Sequence, residues 1–127
     1  MDETGLQPGI DWVCVDAADP AGLAAWWQRL VGGVIASDPD GDVTLHGPGV
    51  RCYFLKVPEA KRTKNRLHFD LRATDYEFAV ARALELGATK APDVYDGRRW
   101  QVLRDPEGNE FCILRPSYAP YRASDPE

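Results

Sequence analysis

No stretch of this 127-residue sequence approaches the roughly 18 consecutive apolar residues that a membrane-spanning helix needs. Basic residues are not in excess either: 15 Lys and Arg stand against 20 Asp and Glu, for a net charge of -5. That balance makes nucleic acid and anionic membrane poor partners. Cysteine is scarce and odd in number. Cys14, Cys52 and Cys112 are widely spaced, and no CxxC pair or His/Cys cluster frames a structural zinc site. A phosphate-cradling glycine loop, a nucleophile elbow and a dinucleotide fingerprint are all missing. The acidic start, Met1-Asp2-Glu3-Thr4-Gly5, has the wrong charge for a secretory signal. These absences lead us to expect a cytoplasmic protein whose three thiols are free and buried within apolar runs.

What the sequence does contain is enough apolar material, 44% of residues, for a single domain over 1–127 with its own core. Ile10 to Asp16 is β-branched and aromatic, and reads as a strand. Asp19-Pro20 supplies an N-cap and a first-turn proline, Leu23, Trp27, Leu30 and Val31 recur at helical spacing, and Gly32-Gly33 stops the helix. Residues 33–37, 42–46 and 50–57 are short strands punctuated by Asp38-Pro39-Asp40-Gly41 and His46-Gly47-Pro48-Gly49. Residues 58–65 are polar and basic, and read as a solvated linker.

The pattern then repeats. Arg66 to Arg72 alternates, with Leu67, Phe69 and Leu71 on one face and Arg66, His68, Asp70 and Arg72 on the other. Asp75 caps a second helix, Thr74 and Glu77 fit a capping box, and Gly87 ends it. Residues 90–96 form a short extended segment, and 98–104 and 110–115 a hairpin across Asp105-Pro106-Glu107-Gly108-Asn109. The tail, 117–127, is expected to fray. Trp12 matches His68, Asp19 matches Asp75, and Cys52-Tyr53-Phe54-Leu55-Lys56 matches Phe111-Cys112-Ile113-Leu114-Arg115. The chain is thus two βαβββ modules, about 9–57 and 66–116.

Asp19-Pro20 with Ala24-Ala25-Trp26-Trp27, then Leu67-His68-Phe69-Asp70-Leu71, then Asp105 to Cys112 resemble the glyoxalase-like branch of the vicinal oxygen chelate (glyoxalase / bleomycin-resistance / extradiol dioxygenase) superfamily. The resemblance covers roughly residues 9–116. It implies an α+β fold in which the two modules form an eight-stranded, U-shaped mixed sheet, with the helices on the outer face and a ligand cup inside. It also implies a homodimer, and in the metal-dependent members a divalent ion held by His, Gln or Glu on the first and last strand of each module.

Carried over by the repeat, those four positions are Trp12, Tyr53, His68 and Cys112. Only His68 suits such an ion, Trp12 has no donor for it, and so no metal or other cofactor is expected. A shifted site using Asp16 or Asp70 is the strongest counterargument, although Asp70 reads first as a partner for Arg66 or Arg72. His68 is either a polar cup residue or a general acid/base, since imidazole titrates near neutrality. Cys112 is either an inert thiol or a nucleophile activated by His68. Trp12, Tyr53 and Trp100 would wall the cup and favour a planar or largely apolar small molecule. Arg66, Arg72, Arg98 and Arg99 are candidates for a carboxylate or phosphate, and His46 reads as a surface residue. Drug or metabolite sequestration by Trp12, Tyr53, His68, Trp100 and Cys112 is the leading expectation. The alternatives are a lyase, isomerase or dioxygenase using His68, and a partner-binding module with a filled cup.

Overall fold

A computed structural model describes residues 4–118. Its elements are β1 (Val13–Ala17), α1 (Pro20–Val31), β2 (Val34–Ser37), β3 (Val43–His46), β4 (Cys52–Lys56), β5 (Phe69–Arg72), α2 (Tyr76–Glu85), β6 (Thr89–Lys90), β7 (Trp100–Arg104) and β8 (Glu110–Leu114). The chain divides into two compact units, Met1–Ala60 and Lys61–Glu127, at a point inside the predicted linker. Each holds an open four-stranded sheet, ordered β1-β4-β3-β2 in the first and β5-β8-β7-β6 in the second. In both, the first strand runs parallel to the fourth and the other pairings are antiparallel. Two βαβββ modules of an α+β fold are therefore present. No helix among the described residues is long and apolar enough to cross a membrane. Most of the tail expected to fray, 119–127, lies outside the described residues.

In the first unit the Asp19 carboxylate accepts from the Gly22 amide at 3.1 Å, and Pro20 loses nothing at a position that has no helical acceptor. Leu23, Ala24, Trp26 and Trp27 are buried, with the two indoles edge to face at 5.2 Å. Trp26, outside the predicted stripe, is thus core, while Val31 is 46% exposed because it is the final helical residue, where the packed stripe runs out. Gly33 sits at φ 103, and a Cβ there would run into the His46 carbonyl, so the connection into β2 requires glycine. Strand parity directs Val43, Leu45, Cys52 and Phe54 into the core. Cys14 lies on the other face and is exposed, which corrects its expected burial; all three cysteines are free thiols.

In the second unit Asp75 accepts from the Phe78 amide at 3.1 Å. Phe78, not Glu77, is therefore the third helical residue, and the expected Thr74–Glu77 box is out of phase by one. Glu77 instead faces Arg115 at 3.7 Å. Pairing with β8 begins only at Phe69↔Phe111, so Leu67 precedes the ladder and is 86% exposed. β6 ends at Lys90, because Ala91 turns the chain, its carbonyl accepting from Val94 and Tyr95, and Pro92 offers no amide to a ladder. β8, between β5 and β7, is buried at all five positions. Its register is set by the preceding turn, where the Asp105 carboxylate accepts from the amides of Glu107 at 3.0 Å and Asn109 at 2.9 Å, with Gly108 at φ 89.

Candidate functional site

Across the second sheet, Asp70 pairs with Cys112, and Cys112 with Val102. Period-two alternation puts these three on one face with Trp100 and Leu114, and sends Phe111, Ile113 and Leu103 to the other. His68, one residue before β5, joins the first set. Over this face lies a cavity of about 300 Å³, lined among others by His68, Asp70, Tyr95, Trp100, Cys112 and Tyr118. That volume is at the lower end of the range for small-molecule sites, roughly 300–1,000 Å³.

The floor is polar. His68 Nε2 and Asp70 Oδ1 are 3.2 Å apart, so the expected partnership of Asp70 with Arg66 or Arg72 is replaced by one with His68. Arg72 is turned away, donating to the carbonyls of Arg115 and Tyr118. One donor atom each from His68, Asp70 and Cys112 lie within 4.8 Å of one another. Burial pushes the Cys112 thiol up to about 12, and the charge of Asp70 and a hydrogen bond to it add to the rise. At neutral pH this is a thiol, not a thiolate, and the nucleophile reading loses its activation.

The wall is aromatic. Tyr95 stacks on Trp100 at 4.1 Å with planes 13° apart, and Tyr118 leans on Trp100 at 5.4 Å. Arg99 lies over both Trp100 and Tyr118, at 5.9 and 5.3 Å, as a cation on aromatic faces. Gly97 packs against the Tyr95 ring, where any Cβ would collide with the phenol. Sequence reasoning named Trp100 but missed Tyr95 and Tyr118, which lie in an irregular segment and in the expected tail. It also missed a polar cluster alongside. Buried Glu110 accepts from Lys61, the Asn65 amide and Arg104, each at 2.9–3.2 Å, and Arg104 also binds Asp93 at 2.7 Å. The linker is thus fastened at Lys61 and Asn65, not simply solvated.

Trp12 and Tyr53 come together in the first unit. Their rings are 5.6 Å apart, with His46 edge-on to Trp12 at 4.9 Å and Arg51 over the indole at 4.5 Å. His46 is accordingly half-buried by an aromatic neighbour. The Tyr53 phenol donates to Asp38 at 2.5 Å, which pushes the tyrosine up to about 12 and holds the Asp38 carboxyl below its ordinary value. In Tyr53→Phe the Asp38 pKa is expected to rise toward 3.8, followed by its carboxyl carbon in an NMR titration; an unmoved value would assign the shift to the loop amides. A hard octahedral ion of the kind implied by resemblance does not fit these residues. Trp12 has no donor, the Tyr53 phenol is engaged by Asp38, and the cluster found among the described residues of the second unit is one imidazole, one carboxylate and a thiol.

A family model described as a glyoxalase-like domain matches residues 12–114. No curated protein matches the chain. Among solved structures, a mutant of the fosfomycin resistance protein FosX from Listeria monocytogenes, complexed with Mn(II), is similar with a TM-score of 0.71 at 13% identity, covering 86% of this chain and 90% of that one. A glyoxalase/bleomycin resistance protein/dioxygenase family enzyme from Burkholderia phytofirmans is similar with a TM-score of 0.67 at 18% identity, covering 83% and 96%. Oxidase ChaP-H2 is similar with a TM-score of 0.67 at 20% identity, covering 90% and 98%. At these identities the likeness is one of fold.

Proposed function

Because the chain belongs to the glyoxalase-like domain family, we propose that it binds a small planar, largely apolar molecule in the cavity of the second module and sequesters it. The observation that carries this reading is the stacked Tyr95–Trp100 wall above a floor with only a few polar groups. Flat rings add stacking energy to area burial, and His68 and Asp70 can orient one polar edge. Trp12 and Tyr53 offer a second aromatic surface, on the first module, for the same class of ligand. We extend the proposal to a cytoplasmic homodimer, which the free thiols and the exposed Ile10 and Leu67 suit. The test is quenching of tryptophan fluorescence by a panel of planar aromatic acids and amines. Trp100→Ala should weaken any hit by about 2 kcal/mol, roughly 30-fold in Kd. Equal binding by that variant, or no hit across the panel, would end the reading.

A second reading is favoured by the 3.2 Å approach of Asp70 to His68, which orients the imidazole as a general acid/base would require. His68→Ala would then abolish turnover of a substrate while the circular dichroism stays native, and retained turnover would remove it.

A further inference from the structure

We propose that a polar cavity beside the aromatic one is an anion-binding site, in which Arg62, Thr63 and Lys64 hold the carboxylate or phosphate of a ligand whose planar part lies against Trp100. The placing of that planar part rests on the ligand reading above, whereas the anion site does not. The cavity measures about 570 Å³, and its lining residues all belong to the second unit. Lys61, Arg62, Lys64 and Arg104 face it as cations and Asp93 and Glu110 as carboxylates, which leaves two positive charges in excess in a chain of net charge -5. Both carboxylates are already engaged. Glu110 is met by Lys61 and Arg104, each at 3.2 Å, and Asp93 by Arg104 at 2.7 Å. Arg62 and Lys64 have no carboxylate partner among the described residues, and Lys64 donates to the Asn65 carbonyl at 3.2 Å.

Anchoring gives this segment what a solvated linker lacks. On one side Lys61 reaches Glu110; on the other the Asn65 amide donates to Glu110 at 2.9 Å and Asn65 Nδ2 to Asn109 at 3.0 Å. Arg62, Thr63 and Lys64, exposed between those anchors, line the cavity. An arriving oxyanion therefore meets backbone that is already ordered, which lowers the cost of binding. The guanidinium fork of Arg62 suits two oxygens of a carboxylate or phosphate, and the Thr63 hydroxyl adds a neutral donor between two cations. Lys64, Val94 and Glu110 line both cavities, so Lys64 stands at their boundary. Its charge is felt at the Cys112 thiol, where it opposes the rise that burial drives. A ring on the Tyr95–Trp100 wall with an acidic group reaching past Lys64 occupies both spaces. The arginines that flank the strands, Arg66, Arg72, Arg98 and Arg99, line neither.

The test follows amide shifts of the ¹⁵N-labelled full chain at constant ionic strength. Inorganic phosphate should move the amides of Arg62, Thr63 and Lys64 saturably, and the effect should vanish in the Arg62→Ala/Lys64→Ala double variant. Both residues are exposed, so folding is not at stake. The aromatic probes are 2-naphthylacetate, 2-naphthyl phosphate and the neutral methyl ester of the first. Each acid should bind about 10-fold or more tighter than the ester, and the tighter of the two names the oxyanion. In the double variant that gap should close to within about 2-fold, while Trp100→Ala should weaken acids and ester alike. Amides unmoved by phosphate, an ester binding as tightly as the acids, or a gap that survives in the double variant would each overturn the proposal. Phosphate binding with no aromatic probe bound would keep the anion site and end the ligand reading instead.

Discussion

Phe111→Ala is expected to destabilise the protein by about 3–5 kcal/mol, lowering the melting temperature by something on the order of 10–20 °C. Phe111 is fully buried, in the strand that pairs with β5 on one side and β7 on the other, beside Phe69 and Leu103. Removing a ring there costs the lost burial and leaves a cavity that a strand fixed on both sides cannot collapse. Phe78→Ala makes the contrast. That ring is 69% exposed on α2, and its loss should stay within about 0.5 kcal/mol. Denaturant melts of the two variants check the pair. Equal losses would mean that β8 is not the centre of its core.

Glu110→Ala is expected to cost roughly 2–4 kcal/mol, below the value for a fully buried pair because the Lys61 and Arg104 partners still reach water. The carboxylate is 3% exposed and accepts from Lys61, Arg104 and the Asn65 amide. Burial alone pushes its acidity toward the neutral form. The Asn65 amide, the residue's own backbone, Lys61 and Arg104 outweigh that and hold it below its ordinary 4.5. A depressed carboxyl stabilises fully above its unfolded value and ceases to do so as the pH falls through the folded one. Wild type should therefore lose stability on acidification below about pH 4.5, and Glu110→Ala should show a shallower decline over that window. Parallel slopes in acid-dependent melts would contradict this assignment.

The fold was largely legible because its signals are local. Asp19-Pro20, Asp75 and the glycine stops are caps whose geometry depends on a few neighbouring residues, and the 105–109 turn fixes the last hairpin by its own side-chain bonds. The misreadings came where tertiary context decides. Leu67 has the right parity for a core residue but falls outside the ladder, and Cys14 lies within an apolar run on the face away from α1. Among the candidate residues, His68, Trp100 and Cys112 come together in the second unit, and Trp12 and Tyr53 in the first. Tyr95 and Tyr118 carried no periodic signal, since each is brought to Trp100 by irregular backbone. Asp70 reads as an arginine partner because Arg66 and Arg72 are near in sequence, whereas the strand geometry brings it to His68. Glu110 gave no hint that residues 61 and 65 would reach back to it.

The alternation along β8 has a consequence for how such a protein can diverge. Glu110, Cys112 and Leu114 belong to the cavity side, and Phe111 and Ile113 to the core, all in one strand whose phase is set by the Asp105 turn. Inserting or deleting a single residue between that turn and Phe111 would send the ring of Phe111 into the cavity and the thiol into the core. Ancestry can therefore rewrite this site only by exchanging side chains in place. Its lineage is free in composition and locked in length.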